Sequence, residues 1–199
     1  MCQFFETIKI INFSPQNLEF HNARLNFTRK EIFGTKDPIN LNDILSSISI
    51  PTAEIHKCRV IYSISIKKIE VLPYFRKEIK KLKIIYSDEI SYDHKSTDRE
   101  FFNELLEKKE DCDEILIVKN NLITDTSFSN IAFYDGAKWF TPAKPILKGT
   151  KREMLIRNLS LNEKNIRIEE ILKNFTSFSL INAMLELSEN IIPIENISM

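Results

Sequence analysis

Polar and apolar positions in this 199-residue chain alternate with two periods, one of strands and one of helices. Near the N-terminus, Phe4-Phe5-Glu6-Thr7-Ile8-Lys9-Ile10-Ile11 predicts a strand and Asn12-Phe13-Ser14-Pro15 a turn. From Asn17 onward, Leu18, Leu25, Ile32 and Phe33 recur at near-helical spacing, and Gly34 supplies a left-handed stop. Such a helix sets His21, Arg24 and Thr28 close together on one face. A short helix at 41–48 and two meander strands, 59–66 and 68–71, complete a β/α first lobe.

The second half opens with a strand near 83–87. Thr97-Asp98-Arg99-Glu100 has the T-x-x-E form of a capping box ahead of Phe101, Phe102, Leu105 and Leu106, which places Lys95 just outside a helix N-terminus. A buried strand at 114–118 turns at Asn120-Asn121 into a return at 122–124. Segments 130–134 and 138–140 form a hairpin around Asp135-Gly136. A second T-x-x-E, Thr150 to Glu153, follows Gly149 and opens a helix reaching about Leu159. Closing strands at 178–181 and 191–194 flank Asn182-Ala183-Met184. The chain divides into lobes of 1–88 and 89–199.

Charge and composition narrow the chemistry. Twenty-eight basic residues balance 28 acidic ones, which leaves no net charge for a polyanion. The single basic cluster, 76–83, reads as the solvated face of a helix rather than a nucleic-acid patch. Only three glycines are present, against roughly fourteen at average usage, so loops that cradle phosphate with several glycines are excluded. A phosphorylated ligand would be held by side chains and helix ends. Cys2, Cys58 and Cys112 form neither a disulfide framework nor a C-x-x-C metal site, which fits a reducing compartment. No window has the length and apolarity of a membrane span, and the N-terminus lacks the pattern of a secretion signal. The expectation is a soluble cytoplasmic protein without metal.

Four polar places invite a chemical reading, and each has a plainer alternative. Positive potential from the helix end and from Arg99 favours the neutral amine of Lys95, as a Schiff-base lysine requires; it is equally one surface lysine among many. Gly149-Thr150 offers helix-end amides, a hydroxyl and an open approach for an anion, or a simple N-cap. Asp125 sits at a strand end, where carboxylates often bond turn amides. His21 and Arg24 form either an exposed helix face or an anion grip.

Taken in order, Phe5-Glu6-Thr7-Ile8, His21-x-x-Arg24-Leu25, Lys95, the segment from Ile123 to Ile131, and Gly149-Thr150-Lys151-Arg152 resemble the class IV pyridoxal-phosphate-dependent enzymes. These include branched-chain and D-amino acid aminotransferases and aminodeoxychorismate lyase. The resemblance covers nearly the whole chain and implies an α+β fold of the D-amino acid aminotransferase type. That fold has a small β/α N-terminal lobe and a larger, β-barrel-like C-terminal lobe with helices. It implies pyridoxal 5'-phosphate as cofactor, with Lys95 holding it covalently and shuttling the proton at Cα. Arg24 would bind the cofactor phosphate with Ser129, Asn130, Gly149 and Thr150, and Asp125 would pair with the pyridinium nitrogen. A homodimer acting on a small amino-group substrate is implied as well.

Departures accompany the match. Asp125 is one methylene shorter than the usual glutamate, Thr126 replaces a glycine, and the chain starts almost directly at the Phe4-Phe5-Glu6-Thr7 strand. Lys95-x-x-x-Arg99 and Ile181-Asn182-Ala183-Met184 resemble aminodeoxychorismate lyases more than branched-chain aminotransferases. The lyase, which yields 4-aminobenzoate and pyruvate in the folate pathway, is therefore preferred. A class IV aminotransferase of branched-chain or D-amino acid type is the alternative, and a non-catalytic relative the third. Arg59, Tyr62, Tyr92, Arg99 and Asn182 are the candidate substrate ligands, a structural salt bridge being an equal reading for Arg59. Whether Arg29 or Arg76 reaches substrate instead stays open.

Overall fold

A computed structural model describes residues 2–198 and divides them into two compact units. The first holds residues up to Arg76 together with His94–Asp98; the second holds Lys77–Asp93 and residues from Arg99 on. A cut at residue 88 differs from this division for two reasons. The strand Leu82–Tyr86 pairs with Glu114–Lys119, inside the second unit. Segment 94–98 returns to the first because Phe5 N–H donates to Lys95 O (2.9 Å) and Thr97 N–H to Gln3 O (2.9 Å).

In chain order, the first unit consists of strand β1 (Phe4–Ile11), β2 (Ser14–Pro15), helices α1 (Leu18–Phe33) and α2 (Leu41–Ser46), and strands β3 (His56–Tyr62) and β4 (Ile66–Pro73). The strands form an antiparallel sheet in the order β2-β1-β3-β4. Alternation turns Ile8 and Ile10 of β1 into a core with Leu25, Leu41, Cys58, Val60 and Tyr62. Helix α1 ends at Gly34, whose φ of 65° lets its N–H bond the last carbonyls without a side-chain clash. Three of the four periodic apolar positions mark its buried face, Leu25 in the core and Leu18 and Phe33 packed against it, whereas Ile32 is 45% exposed; His21, Thr28 and Arg29 are buried as well. Other elements supply the partners of those polar residues: Glu6 for His21, His94 for Thr28 and the Ile64 carbonyl for Arg29.

The second unit contains β5 (Leu82–Tyr86), α3 (Glu100–Leu106), β6 (Glu114–Lys119), β7 (Leu122–Thr126), β8 (Asn130–Tyr134), β9 (Trp139–Pro142) and α4 (Thr150–Arg157). It continues with β10 (Asn162–Lys164), α5 (Ile171–Asn174), β11 (Ser177–Ile181), β12 (Ile192–Pro193) and β13 (Ile197–Ser198). Two sheets, β10-β9-β8-β11-β12 and β13-β5-β6-β7, share one core in which Leu116 and Val118 meet Phe133 and Phe178. Both Asn120 and Asn121 have positive φ, as a two-residue hairpin turn requires. The architecture is α+β, and among the described residues no helix is long and apolar enough to cross a membrane.

Three local expectations are corrected. Segment 76–83 is not helical; it runs irregularly into β5, so its charges lie on no helix face. Arg99, not Thr97, is the N-cap of α3, because the Thr97 amide and hydroxyl both bond Gln3 O on the β1 side. Gly149 is the N-cap of α4 and Thr150 its first helical residue, so that box does not form around Thr150 either.

Candidate functional site

The sequence-predicted site residues fall into two polar clusters, one in each unit. In the first, Glu6 occupies the core-facing register of β1, between Phe4 and Ile8, where an unbroken apolar strand would carry a hydrocarbon. Its carboxylate meets α1: Arg24 Nε donates to Oε1 at 2.9 Å and Nη2 to Oε2 at 2.5 Å, while His21 Nδ1 lies 2.6 Å from Oε2. Glu6 and His21 are fully buried, and the Arg24 side chain is 14% exposed.

Electrostatics assigns the protons. Burial alone raises the Glu6 carboxyl, but the Arg24 guanidinium and the His21 and Arg24 hydrogen bonds outweigh it and hold the group at about 2. Burial, reinforced by Arg24 and Lys95, lowers His21 against the pull of Glu6. At neutral pH the pair is therefore carboxylate and neutral imidazole. Since a carboxylate only accepts, His21 carries its proton on Nδ1 and donates to Glu6.

Lys95 is placed by β1 rather than by a helix end. Its carbonyl accepts from Phe5, and Ser96 bridges Phe4. The preceding His94 is fixed by Thr28 Oγ1 at 3.1 Å and by the rings of Phe4 and Phe27. The five residues from Lys95 to α3 remove the helix-end argument for a neutral amine. Lys95 Nζ lies 4.7 Å from the Phe5 ring centroid, and Arg59 Cζ lies 4.5 Å from the same centroid. Arg59 is thus one strand over from β1, and its Nε is buried with no hydrogen-bond partner. Tyr62 is wholly buried against Phe4, so its phenol lines the core and faces no accessible surface. Arg29 is taken up by the carbonyls of Ile64 and Asp37, a structural role.

The second cluster surrounds Asp125 at the end of β7, where the residue is 4% exposed. Asn130 Nδ2 donates to Oδ1 at 2.7 Å and the Leu147 amide to Oδ2 at 2.9 Å. Asn130 Nδ2 also reaches Leu147 O at 2.9 Å, which ties β8 to the segment entering α4. Burial raises Asp125 to about 6, with the Leu147 and Asn130 bonds opposing. Gly149 opens α4 for a reason other than an anion's approach. A Cβ there would stand 2.0 Å from Asn130 Oδ1, so the missing side chain admits Asn130. Being glycine, this N-cap gives the first-turn amides no side-chain oxygen.

Around this cluster several candidates have structural partners. Ser129 Oγ and Thr126 Oγ1 lie 2.8 Å apart, closing the turn between β7 and β8. Arg99 donates to Ser127 O at 2.5 Å and stacks on Phe102, whose ring meets Tyr92 edge-on. Asn182 Oδ1 accepts the Met184 and Leu185 amides and so caps a turn. Glu6 stands in one of the matching motifs, but motif reading gave it no role. Its signal was present: a lone carboxylate at a core-facing strand position needs a buried partner.

A family model of class IV aminotransferases matches residues 3–197. An uncharacterized protein of Haemophilus influenzae is 35% identical over 187 residues, spanning 92% of this chain and 98% of its own. A crystal structure from Haemophilus somnus 129pt, provisionally assigned as a 4-amino-4-deoxychorismate lyase, superposes with a TM-score of 0.88 at 30% identity. It covers 94% of this chain and 98% of its own. An aminotransferase of Brucella abortus with bound PLP shares the fold at a TM-score of 0.72 and 16% identity, covering 96% of this chain and 79% of its own.

Class IV aminotransferases use pyridoxal phosphate, and the residues present fit that group. Lys95 carries a primary amine and is only partly buried. Asp125 is an anion above about pH 6, as a partner for a protonated ring nitrogen must be. Donor types that a phosphate takes occur in each unit by itself, at Arg24 in the first and at the N-terminal turn of α4 in the second.

Proposed function

We propose that this chain, which belongs to the class IV aminotransferase family and is a pyridoxal-phosphate-dependent enzyme, is an aminodeoxychorismate lyase. It would convert 4-amino-4-deoxychorismate to 4-aminobenzoate and pyruvate. The observation that carries the reading is the near full-length, 30% identical match to the Haemophilus somnus protein provisionally assigned to that reaction.

Bound pyridoxal phosphate supplies an electron sink for the bond broken at the carbon bearing the substrate amine. Lys95 holds the cofactor and moves the proton of that carbon, its main chain locked to β1 so that only the side chain swings. Arg24 grips the phosphate, and Asp125 keeps the ring nitrogen protonated. Arg59, whose Nε is buried without a partner and whose guanidinium shares the Phe5 ring with Lys95, receives a substrate carboxylate. Loss of the enolpyruvyl group as pyruvate leaves an aromatic ring, and the two products account for every atom of the substrate. No keto acid acceptor is needed. The aminotransferase reading, favoured by the Brucella abortus fold match, requires one.

Protein loaded with pyridoxal phosphate and given 4-amino-4-deoxychorismate should release pyruvate and 4-aminobenzoate in equal amounts without added acceptor, and Lys95→Ala should release neither. Turnover confined to an amino acid and keto acid pair refutes the lyase and establishes the alternative.

A further inference from the structure

We propose that Glu6 is a positioning residue for cofactor binding: its buried carboxylate fixes the Arg24 guanidinium in the orientation that receives the phosphate. The proposal rests on the reading of Arg24 as the phosphate ligand and goes beyond it, since it names what holds that arginine. An arginine side chain has several rotatable bonds, and immobilising it on a ligand costs affinity unless the side chain is already ordered. Here Nε and Nη2, one edge of the guanidinium, are both bonded to Glu6, at 2.9 and 2.5 Å. This bidentate pairing sets the plane of the group as well as its position. It uses two of the five N–H donors of the guanidinium.

His21 completes the arrangement. One helical turn before Arg24, it donates from Nδ1 to Glu6 Oε2 at 2.6 Å, the oxygen that Arg24 Nη2 also engages, and so gives the carboxylate a second anchor. The buried group therefore cannot rotate without losing both partners.

The sign of the electrostatics separates positioning from attraction. A carboxylate beside Arg24 cancels its charge and weakens its pull on an anion, so Glu6 is badly placed if charge attraction were its role. What it adds is orientation. A core filler at this point of β1 would be apolar, as Ile8 and Ile10 are on the same face.

The test compares pyridoxal phosphate with pyridoxal, which has the same ring and aldehyde but no phosphate. Both are titrated into wild type, Glu6→Gln and Arg24→Ala, with the absorbance change of the bound ligand as readout. In wild type the phosphorylated ligand should bind much more tightly. In Glu6→Gln that preference should shrink about tenfold through weaker binding of pyridoxal phosphate, while pyridoxal changes less than about twofold. If Arg24→Ala loses the preference but Glu6→Gln keeps it, or weakens both ligands alike, the positioning role is overturned. If Arg24→Ala keeps the preference, the assignment of Arg24 is overturned instead. Should Glu6→Gln fail to fold, Glu6→Asp, which retains charge but withdraws it by one methylene, is put to the same comparison and judged by the same outcomes.

Discussion

Glu6 and Asp125 are buried carboxylates in different units, and their surroundings drive them in opposite directions. Burial is the largest influence on each and raises both. At Glu6 a guanidinium and an imidazole N–H reverse it, and the group lies at about 2. At Asp125 the bonding partners are an amide side chain and backbone N–H groups; the group stays at about 6. Two or three dipoles offset only part of a desolvation penalty that a full charge at contact distance overcomes. The contrast accords with the two proposed tasks: Glu6 stays ionised against cations of the protein, while Asp125, left incompletely compensated, would meet a cation on the ligand.

Their effects on stability have opposite signs. Glu6 is lowered from 4.5 to about 2, so its contribution is present above 4.5 and lost as pH falls toward 2. Asp125 is raised from 3.8 to about 6, so its contribution is present below 3.8 and lost as pH rises through 6.

The most damaging way to break the contrast is Arg24→Ala, which leaves Glu6 buried with only His21 beside it. A loss of about 3 kcal/mol in unfolding free energy at neutral pH is expected by urea denaturation. Glu6 should then behave as Asp125 does, rising above 4.5, so the variant recovers stability as pH is lowered from 7 to 5. A variant that keeps wild-type pH dependence would show that Arg24 is not what depresses Glu6.

Gly149→Ala disturbs the other carboxylate without touching it. The new Cβ must displace Asn130 Oδ1, 2.0 Å away, and with it the 2.7 Å bond to Asp125. We expect a stability loss of about 2 kcal/mol at neutral pH and a further rise of the Asp125 titration. Wild-type stability would mean that Asn130 has room to turn aside.

The gentlest test sharpens the contrast in the intact protein. Carboxyl carbon NMR of the cofactor-free enzyme should show Asp125 titrating near 6 and Glu6 flat above pH 4. Coincident midpoints would remove the distinction.

Much of the fold is legible in residue order because its signals are local. Strand β1 spans the predicted 4–11, Gly34 stops α1 through its own backbone, and the Asn120-Asn121 turn follows from two residues able to adopt positive φ. The Thr97 and Thr150 capping boxes show where such reading stops. A T-x-x-E pattern specifies donors and acceptors, but not whether another strand claims them first, as Gln3 O does for Thr97.

Site chemistry divides along the same line. By itself the sequence determined the residue types: one lysine ahead of a helix, an arginine one turn from a histidine, a carboxylate closing a strand, a glycine opening a helix, and too few glycines for a nucleotide loop. Tertiary structure decided what each touches. It made Glu6 the anchor of Arg24, gave Lys95 to the edge of β1, and turned Gly149 into the space that Asn130 occupies. These outcomes depend on desolvation and on contacts between residues far apart in the chain, and neither is encoded in the spacing of neighbours.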